Sequence, residues 1–217
     1  MNLQGFLDNL LKSAQGGGAP SSPAGGLLNA DFGKGALAGG ALGLLLGKHK
    51  TTRKLATYGG LAAIGVMAYR AYADYQRQQQ APTGVGTQTI DRLPPPQAEL
   101  HSQAILRALV AAAKADGHID AREREVIEGE FARLQPDAEI RQWLHAELEK
   151  PLDPAEVARA AATPEMAAEM YLASLLAADE QNFMERAYLD ELARQLRLDE
   201  GLKAQLQKQV AGQSAQA

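Results

Sequence analysis

The stretch AAAKADGHIDARE, residues 111–123, ends one helix and begins the next. Gly117 is typical of the residue that follows a helix C-terminus, because glycine adopts the left-handed conformation found there. Asp120 is suited to cap the following helix. Glu123 comes three residues later and completes a capping box, in which two side chains satisfy the free amides of the first turn. The stretch therefore predicts two helices joined by a short acidic turn.

Helical patterns continue on both sides of this turn, from Glu99 to about residue 212. Capping residues predict further helix starts at Asp137, at Asp153 followed by Pro154, at Thr163 followed by Pro164, and at Asp199. The apolar residues recur at helical spacing, and no stretch alternates as a β-strand would. The predicted class is all-α, and residues 99–212 form its helical domain.

A weak internal repeat relates two parts of this domain. The segment AAAKADGHIDAREREVI resembles LLAADEQNFMERAYL, so that Asp116 corresponds to Asp179 and Glu123 roughly to Glu185. Each segment joins an alanine-rich helix to a new helix through a short acidic turn, and the two turns differ by one residue. The repeat predicts two helical hairpins packed about a pseudo-twofold axis.

The two acidic turns also suggest a metal site. Hard cations such as Ca²⁺ take six to eight oxygen ligands, often from several carboxylates. Two turns brought together by a pseudo-twofold axis could supply Asp116, Asp120, Glu123, Asp179 and Glu185. The alternative is that these residues only cap helices and stabilise turns. A single EF-hand loop does not fit, because Ile127 occupies the position that would need a glutamate.

Upstream, glycine recurs at every fourth position in GALAGGALGLLLG, at Gly35, Gly39, Gly43 and Gly47. This spacing places the glycines on one helix face, where a second helix can approach closely in lipid. A basic cluster at residues 48–54 and a second apolar stretch at residues 55–72 follow. The pattern predicts attachment to a lipid bilayer.

Two membrane architectures fit this region: a helical hairpin with the basic cluster at its tip, or a single span with the other stretch partly interfacial. The hairpin places both ends of the region on one side of the membrane, and a single span places them on opposite sides. A third interpretation is a soluble hairpin rich in glycine and alanine. The sequence does not choose between them, nor does it place the helical domain on one side.

The chain divides into five predicted parts. Residues 1–13 form an amphipathic helix, which either lies on a membrane or partner or is a frayed end. A flexible linker at 14–31 precedes the apolar membrane region at 32–76. A second linker, rich in proline and glutamine, covers 77–98 and is predicted to be extended around Pro94–Pro96. The helical domain at 99–212 follows.

Composition excludes several classes of function. The chain has no cysteine, which excludes disulfides and thiolate chemistry, and its net charge of −4 does not favour nucleic acid. None of the common catalytic or phosphate-binding motifs occurs. We therefore expect neither an enzyme nor a required cofactor, although a divalent cation remains an option.

The pattern KADGHIDxxE, followed by AAD and then ERAYLDELAxxLxL, resembles the TerB-like (tellurite-resistance) helical domain. With a glycine-rich apolar segment before that domain, the whole chain resembles YebE-like inner-membrane proteins of bacteria. The resemblance implies an acidic metal site in some members, a bacterial inner-membrane location and a loose link to stress response. We therefore expect a membrane-anchored interaction or sensor module, with an unknown protein partner or a second copy. The alternatives are a soluble carboxylate-dependent enzyme and a purely structural membrane organiser.

Overall fold

A computed structural model describes residues 2–8, 61–79, 88–115, 121–133, 136–178 and 182–214. Within these ranges every regular element is a helix, which confirms the all-α prediction for the described part of the chain. The glycine repeat at Gly35, Gly39, Gly43 and Gly47, the first linker and the basic cluster lie outside the described residues.

The helices are named in chain order, and a 3-10 turn, Ile90–Arg92, lies between the second and the third. They are α1 (3–8), α2 (Leu61–Gln78), α3 (Pro95–Ala113), α4 (Ala121–Arg133), α5 (Ala138–Glu149), α6 (Pro154–Ala158), α7 (Pro164–Ala177), α8 (Phe183–Gln195) and α9 (Glu200–Ser214).

Helix α7 forms the centre of the bundle. Every residue from Met166 to Ala177 is buried, as expected for a helix that is apolar on nearly all sides. Helix α3 packs along it, and the two correspond to the first helices of the predicted hairpins. His101 meets Glu169, and further along both helices the Ser174 hydroxyl donates to the Ala108 carbonyl at 3.3 Å. Both helices therefore run in the same general direction, and their C-termini lie at one end of the bundle.

The predicted helix starts are confirmed at three caps. Asp137 accepts a hydrogen bond from the Ile140 amide at 2.8 Å, Asp153 from Ala155 at 2.9 Å, and Thr163 from Met166 at 3.1 Å. At the start of α9, Asp199 accepts from the Gly201 amide at 2.8 Å. These short polar side chains satisfy amides that have no partner inside the helix.

The structure corrects the predicted boundary between the second linker and the helical domain. Helix α3 begins at Pro95, inside the 77–98 segment, and Pro94 is its N-terminal flanking residue. Proline is tolerated in the first helical turn because the amide hydrogen that it lacks has no partner there anyway. Two of the three prolines that were expected to hold an extended linker therefore open a helix.

A second correction concerns the predicted membrane region, residues 32–76. Helix α2, which contains its last part, packs against α9 and α7. Ile64, Met67, Ala68 and Ala71 are buried in the core of the bundle, whereas Arg70 is exposed on the other face. Residues 61–76 therefore belong to the bundle.

Among the described residues, no helix combines the length and the apolar composition that crossing a bilayer requires.

The predicted amphipathic helix at the N-terminus is present over residues 3–8 and docks on the bundle. Leu3, Phe6 and Leu7 are buried. The centroid of the Phe6 ring lies 5.6 Å from the centroid of the Phe131 ring in α4. Leu10 and Leu11, which the sequence places on the same face, lie outside the described residues. The apolar face of α1 is thus covered by the chain's own helices.

Candidate functional site

The predicted metal ligands fall mostly outside the described residues. Asp116, Asp120 and Asp179 are outside them, and Glu123 lies in the first turn of α4 with its side chain not described. Glu185 lies in the first turn of α8 and is buried, at 1% exposed. Within the described part of the chain, no three His, Cys, Asp or Glu side chains are grouped so as to hold a metal ion.

The helix end that leads into the first acidic turn is fixed by a buried lysine. The Lys114 ammonium group donates to the carbonyls of Glu147 and Lys150, at 2.8 and 2.9 Å, at the C-terminus of α5. A cation is favourable there because the last carbonyls of a helix are unpaired and carry partial negative charge. Burial lowers the pKa of Lys114. This contact holds the end of α3 against α5.

A second set of charged side chains surrounds Glu147. Its carboxylate lies 3.1 Å from the Arg107 guanidinium and 3.0 Å from the Lys150 ammonium group. Lys150 also pairs with Glu156 at 3.0 Å, and this contact raises the pKa of Lys150 and lowers that of Glu156. The network joins α3, α5 and α6 near the surface of the bundle.

Two ionisable side chains, a histidine and a carboxylate, meet in the buried interior of the bundle. The Oε2 atom of Glu169 lies 2.5 Å from Nδ1 of His101, and its Oε1 atom accepts the Ile90 amide at 2.6 Å. Glu169 is 0% and His101 4% exposed. Helix α7 supplies the carboxylate, α3 the imidazole and the 3-10 turn the amide, so the pair joins three elements.

Further polar contacts hold the 3-10 turn beside this pair. The buried Thr89 hydroxyl donates to Asp91 Oδ1 at 2.6 Å. The Arg92 guanidinium lies over the ring of Tyr69 in α2, 3.6 Å from its centroid, in a cation–π contact. Gly65 of α2 faces Ile90 and Asp91 at close range. The 3-10 turn is therefore fastened both to α2 and to the centre of the bundle.

Burial raises the pKa of Glu169, and its hydrogen bonds to His101 and to the Ile90 amide oppose this effect in part. Acid–base chemistry on a substrate requires that the proton reach the reacting atom directly or through one water. Neither side chain of the pair offers an exposed surface for this. The arrangement is suited to holding three elements in register.

The pairing of His101 with Glu169 could not be predicted from the sequence. The available signal was Glu169 itself, an acidic residue inside the otherwise apolar helix AAEMYLASLL. A charge at such a position is expected to have a buried partner. The partner could not be named, since His101 lies 68 residues earlier and its spacing matches no known ligand motif.

Comparison with known proteins relates most of the chain to one family. Residues 31–210 match the family described as "Protein of unknown function (DUF533)". The chain is also similar to an uncharacterised protein in the ampR 5' region of Yersinia enterocolitica. The two are 32% identical over 108 residues, which cover 50% of this chain and 78% of the relative. No solved structure matches the chain.

Proposed function

We propose that this chain, which belongs to the DUF533 family of proteins of unknown function, is a membrane-attached interaction module and not an enzyme. Its finer resemblance to TerB-like domains and YebE-like proteins supports a location at the bacterial inner membrane and a link to stress response. The unit matched to the family, residues 31–210, contains both the glycine repeat and the helical bundle. A module of this kind would hold its helical bundle near the bilayer, and the bundle would bind a protein partner there.

The observation that carries the proposal is the attachment of α1 and α2 to the same bundle. Helix α1 contacts α4 through Phe6 and Phe131, and α2 packs on α7 and α9. The glycine repeat and the basic cluster lie in the chain between these two helices. A segment that enters a bilayer between them has to return to the same face of the membrane. The single-span alternative is therefore not part of the proposal.

The length of the segment further limits how it could enter the bilayer. A helical span takes about 20 apolar residues, so two spans and a turn need more than about 40. The apolar residues that precede α2 run from Gly35 to Gly47 and then, after the basic cluster, from Leu55. We therefore propose a shallow or re-entrant attachment, with residues 48–54 at anionic headgroups and the glycine face available to a second copy.

Vesicle flotation of the full-length protein tests this attachment. The protein is mixed with vesicles of phosphatidylethanolamine and phosphatidylglycerol, and the floated fraction is measured. We expect most of the protein to float. Replacing Lys48, Lys50, Arg53 and Lys54 by glutamine should reduce the floated fraction several-fold, because each basic residue near an anionic surface adds about 1 kcal/mol.

A control variant carries the same change in net charge on the bundle, where Arg141, Arg159, Arg186 and Lys208 are exposed. Replacing these four residues by glutamine should leave flotation nearly unchanged. If the wild-type protein stays at the bottom of the gradient, or if both variants lose flotation equally, the proposed attachment is wrong.

A second proposal concerns the acidic turns. The described helices α3 and α7 end on the same side of the bundle, and each leads directly into one of the turns that contain Asp116 and Asp179. This placement supports binding of a divalent cation between the turns. Millimolar Ca²⁺ or Mg²⁺ should then raise the melting temperature of the wild-type protein. Asp116→Asn should remove the increase, whereas Glu125→Gln, at an exposed residue of α4, should keep it. An unchanged wild-type melting temperature would reject cation binding.

A further inference from the structure

We propose that the attachment of α4 to the bundle depends on a proton, and that His145 of α5 is the residue that binds it. When the imidazole is charged it joins α4 to α5, and when it is neutral α4 is held more loosely. The inference concerns a surface that the proposed function does not use. It holds whether or not the chain binds a membrane or a cation.

The imidazole of His145 lies between carboxylates from two helices. Its Nδ1 atom is 2.7 Å from Oε1 of Glu128 in α4. Its Nε2 atom is 3.7 Å from Oε2 of Glu149, one turn further along α5. A neutral imidazole carries hydrogen on one nitrogen only, so its other nitrogen would present a lone pair to a carboxylate. The imidazolium ion has an N–H group on each side, and the arrangement therefore favours the protonated ring.

The same contacts determine the pH range in which the proton is lost. The hydrogen bond to Glu128 raises the pKa of His145 most, and the charges of Glu128 and Glu149 raise it further. Desolvation and the positive charge of Arg124 in α4 oppose this increase in pKa. Because the pKa is higher in the folded protein, the contact stabilises fully below the ordinary value of about 6.5. Its contribution is lost as the pH rises through the raised pKa.

Helix α4 is more sensitive to such a contact than the central helices are. It packs on α5, and among its described side chains Ile127 and Phe131 are buried. In α7, by contrast, every residue from Met166 to Ala177 is buried. A segment with little buried apolar surface opens at a lower cost in free energy than the core does. A change of charge on its surface can therefore alter how often α4 opens.

A second polar contact joins α4 to α5 but does not respond to pH in the same way. Arg124, one turn before Glu128 in α4, lies 3.0 Å from Glu149. Arginine stays protonated throughout the pH range in which proteins are studied. Loss of the proton from His145 should therefore weaken one contact and leave the other in place. We expect α4 to loosen and not to detach.

Proton NMR of the full-length protein measures the protonation of His145. The chain has four histidines, and the signal that is absent from a His145→Gln variant identifies this one. Its titration midpoint should lie above about 6.5, and Glu128→Gln should lower it. A midpoint at or below the ordinary value, or one that Glu128→Gln leaves unchanged, would overturn the proposal.

Hydrogen exchange of the α4 amides measures how loosely the helix is held. Protection factors, which correct for the direct effect of pH on exchange, are compared for residues 121–133 and, as a reference, for α8. Between about pH 5.5 and about pH 8.5, the protection of α4 relative to α8 should fall about two- to fivefold in the wild-type protein, since exposed ion pairs are weak. The relative protection should not change with pH in His145→Gln.

Asp190→Asn provides a matched control for the exchange experiment. Asp190 of α8 pairs with Lys203 of α9 at 3.0 Å, so this contact also joins two helices but contains no histidine. The control variant should still show the fall in the relative protection of α4. The proposal is wrong if the wild-type ratio does not depend on pH, or if His145→Gln shows the same fall. It is also wrong if Asp190→Asn abolishes the fall.

Discussion

Glu169 lies in an environment very different from that of a carboxylate in water. It is fully buried, and its oxygens contact a backbone amide and an imidazole nitrogen that come from different elements. Two carboxyl groups lie in this region, since Asp91 of the 3-10 turn also faces Glu169 and raises its pKa further. A carboxyl group whose pKa is higher in the folded than in the unfolded protein binds its proton more tightly when folded. Its contribution to stability is therefore present at low pH and is lost as the pH rises.

A Glu169→Gln variant should lack this dependence of stability on pH. Glutamine keeps a carbonyl acceptor for the Ile90 amide but cannot ionise. The free energy of unfolding of the wild-type protein, relative to that of the variant, should fall as the pH rises from about 4.5 through the raised pKa of Glu169. Urea unfolding at a series of pH values measures the difference. Parallel pH profiles for the two proteins would contradict the assignment.

Gly65 shows, inside the bundle, the close approach that the glycine repeat was predicted to provide in lipid. A Cβ atom at this position would lie 2.6 Å from Asp91 Oδ1, 2.9 Å from Ile90 Cγ2 and 3.0 Å from the Asp91 amide nitrogen. Two of these atoms belong to the backbone or to a buried side chain. The absence of a side chain therefore lets the 3-10 turn lie directly against α2.

Gly65→Ala should destabilise the protein by about 1–3 kcal/mol, since it over-packs this contact. Gly129 provides the matched control: it lies inside α4, is exposed, and a Cβ there would meet no atom within 4 Å. Gly129→Ala should stabilise the protein by about 0.5–1 kcal/mol, because alanine loses less backbone entropy in a helix. Thermal or urea unfolding should give opposite signs, and equal effects would contradict the proposed close contact.

At the scale of single elements, the turn that follows α8 contains a residue in an unfavourable conformation. Arg197 has a φ of 54°, in the left-handed region. The Leu198 amide donates to the Ala193 carbonyl and the Arg197 amide to the Arg194 carbonyl, both at 3.1 Å. This is the hydrogen-bond pattern of a Schellman motif, whose left-handed position usually holds glycine.

Arg197→Gly should therefore stabilise the protein by up to about 1 kcal/mol, because glycine lacks the Cβ that is crowded in this conformation. The same substitution at Arg186, an exposed residue within α8, should instead cost about 1 kcal/mol through backbone entropy. The difference in melting temperature between the two variants measures the effect. Destabilisation of equal size in both would show that Arg197 makes a compensating contact.

Local signals predicted the helix starts well, whereas the partners of the helices could not be predicted. Asp137, Asp153 and Thr163 cap helices through amides two or three residues away. Their roles can therefore be predicted from the neighbouring residues alone. The apolar face of α2 gives the same signal whether it meets lipid or protein. Its partner α9 lies far along the chain, and no local pattern points to it.

At the scale of the whole molecule, the attachment of α1 and α2 to one bundle fixes the relation between the two ends of the chain. Reporters of compartment fused before Met1 and after Ala217 should therefore give the same result in bacterial cells. Opposite results would require either that the chain crosses the membrane an odd number of times or that α1 is undocked. The same experiment on Leu7→Asp, whose buried charge should release α1, would show whether the two reporters agree because α1 is docked.

The buried pair of His101 and Glu169 could not be predicted from the sequence either, because its members lie far apart in the chain. His101, Glu169 and the Ile90 amide come from three separate segments, and only the packing of α3 on α7 brings them together. The acidic turns, by contrast, are visible in the sequence because each is continuous. The described ends of α3 and α7 lie on one side of the bundle, as the internal repeat suggests.

The packing of α2 against α9 has a consequence for how the protein is made. Ribosomes deliver the N-terminal part of a chain first, and α9 is the last helix of the described chain to be synthesised. Until then, the residues of α2 that contact it have no native neighbour on that side. An apolar face of the nascent chain therefore stays uncovered until α9 has left the ribosome, so the native environment of α2 is completed only at the end of synthesis of the described chain.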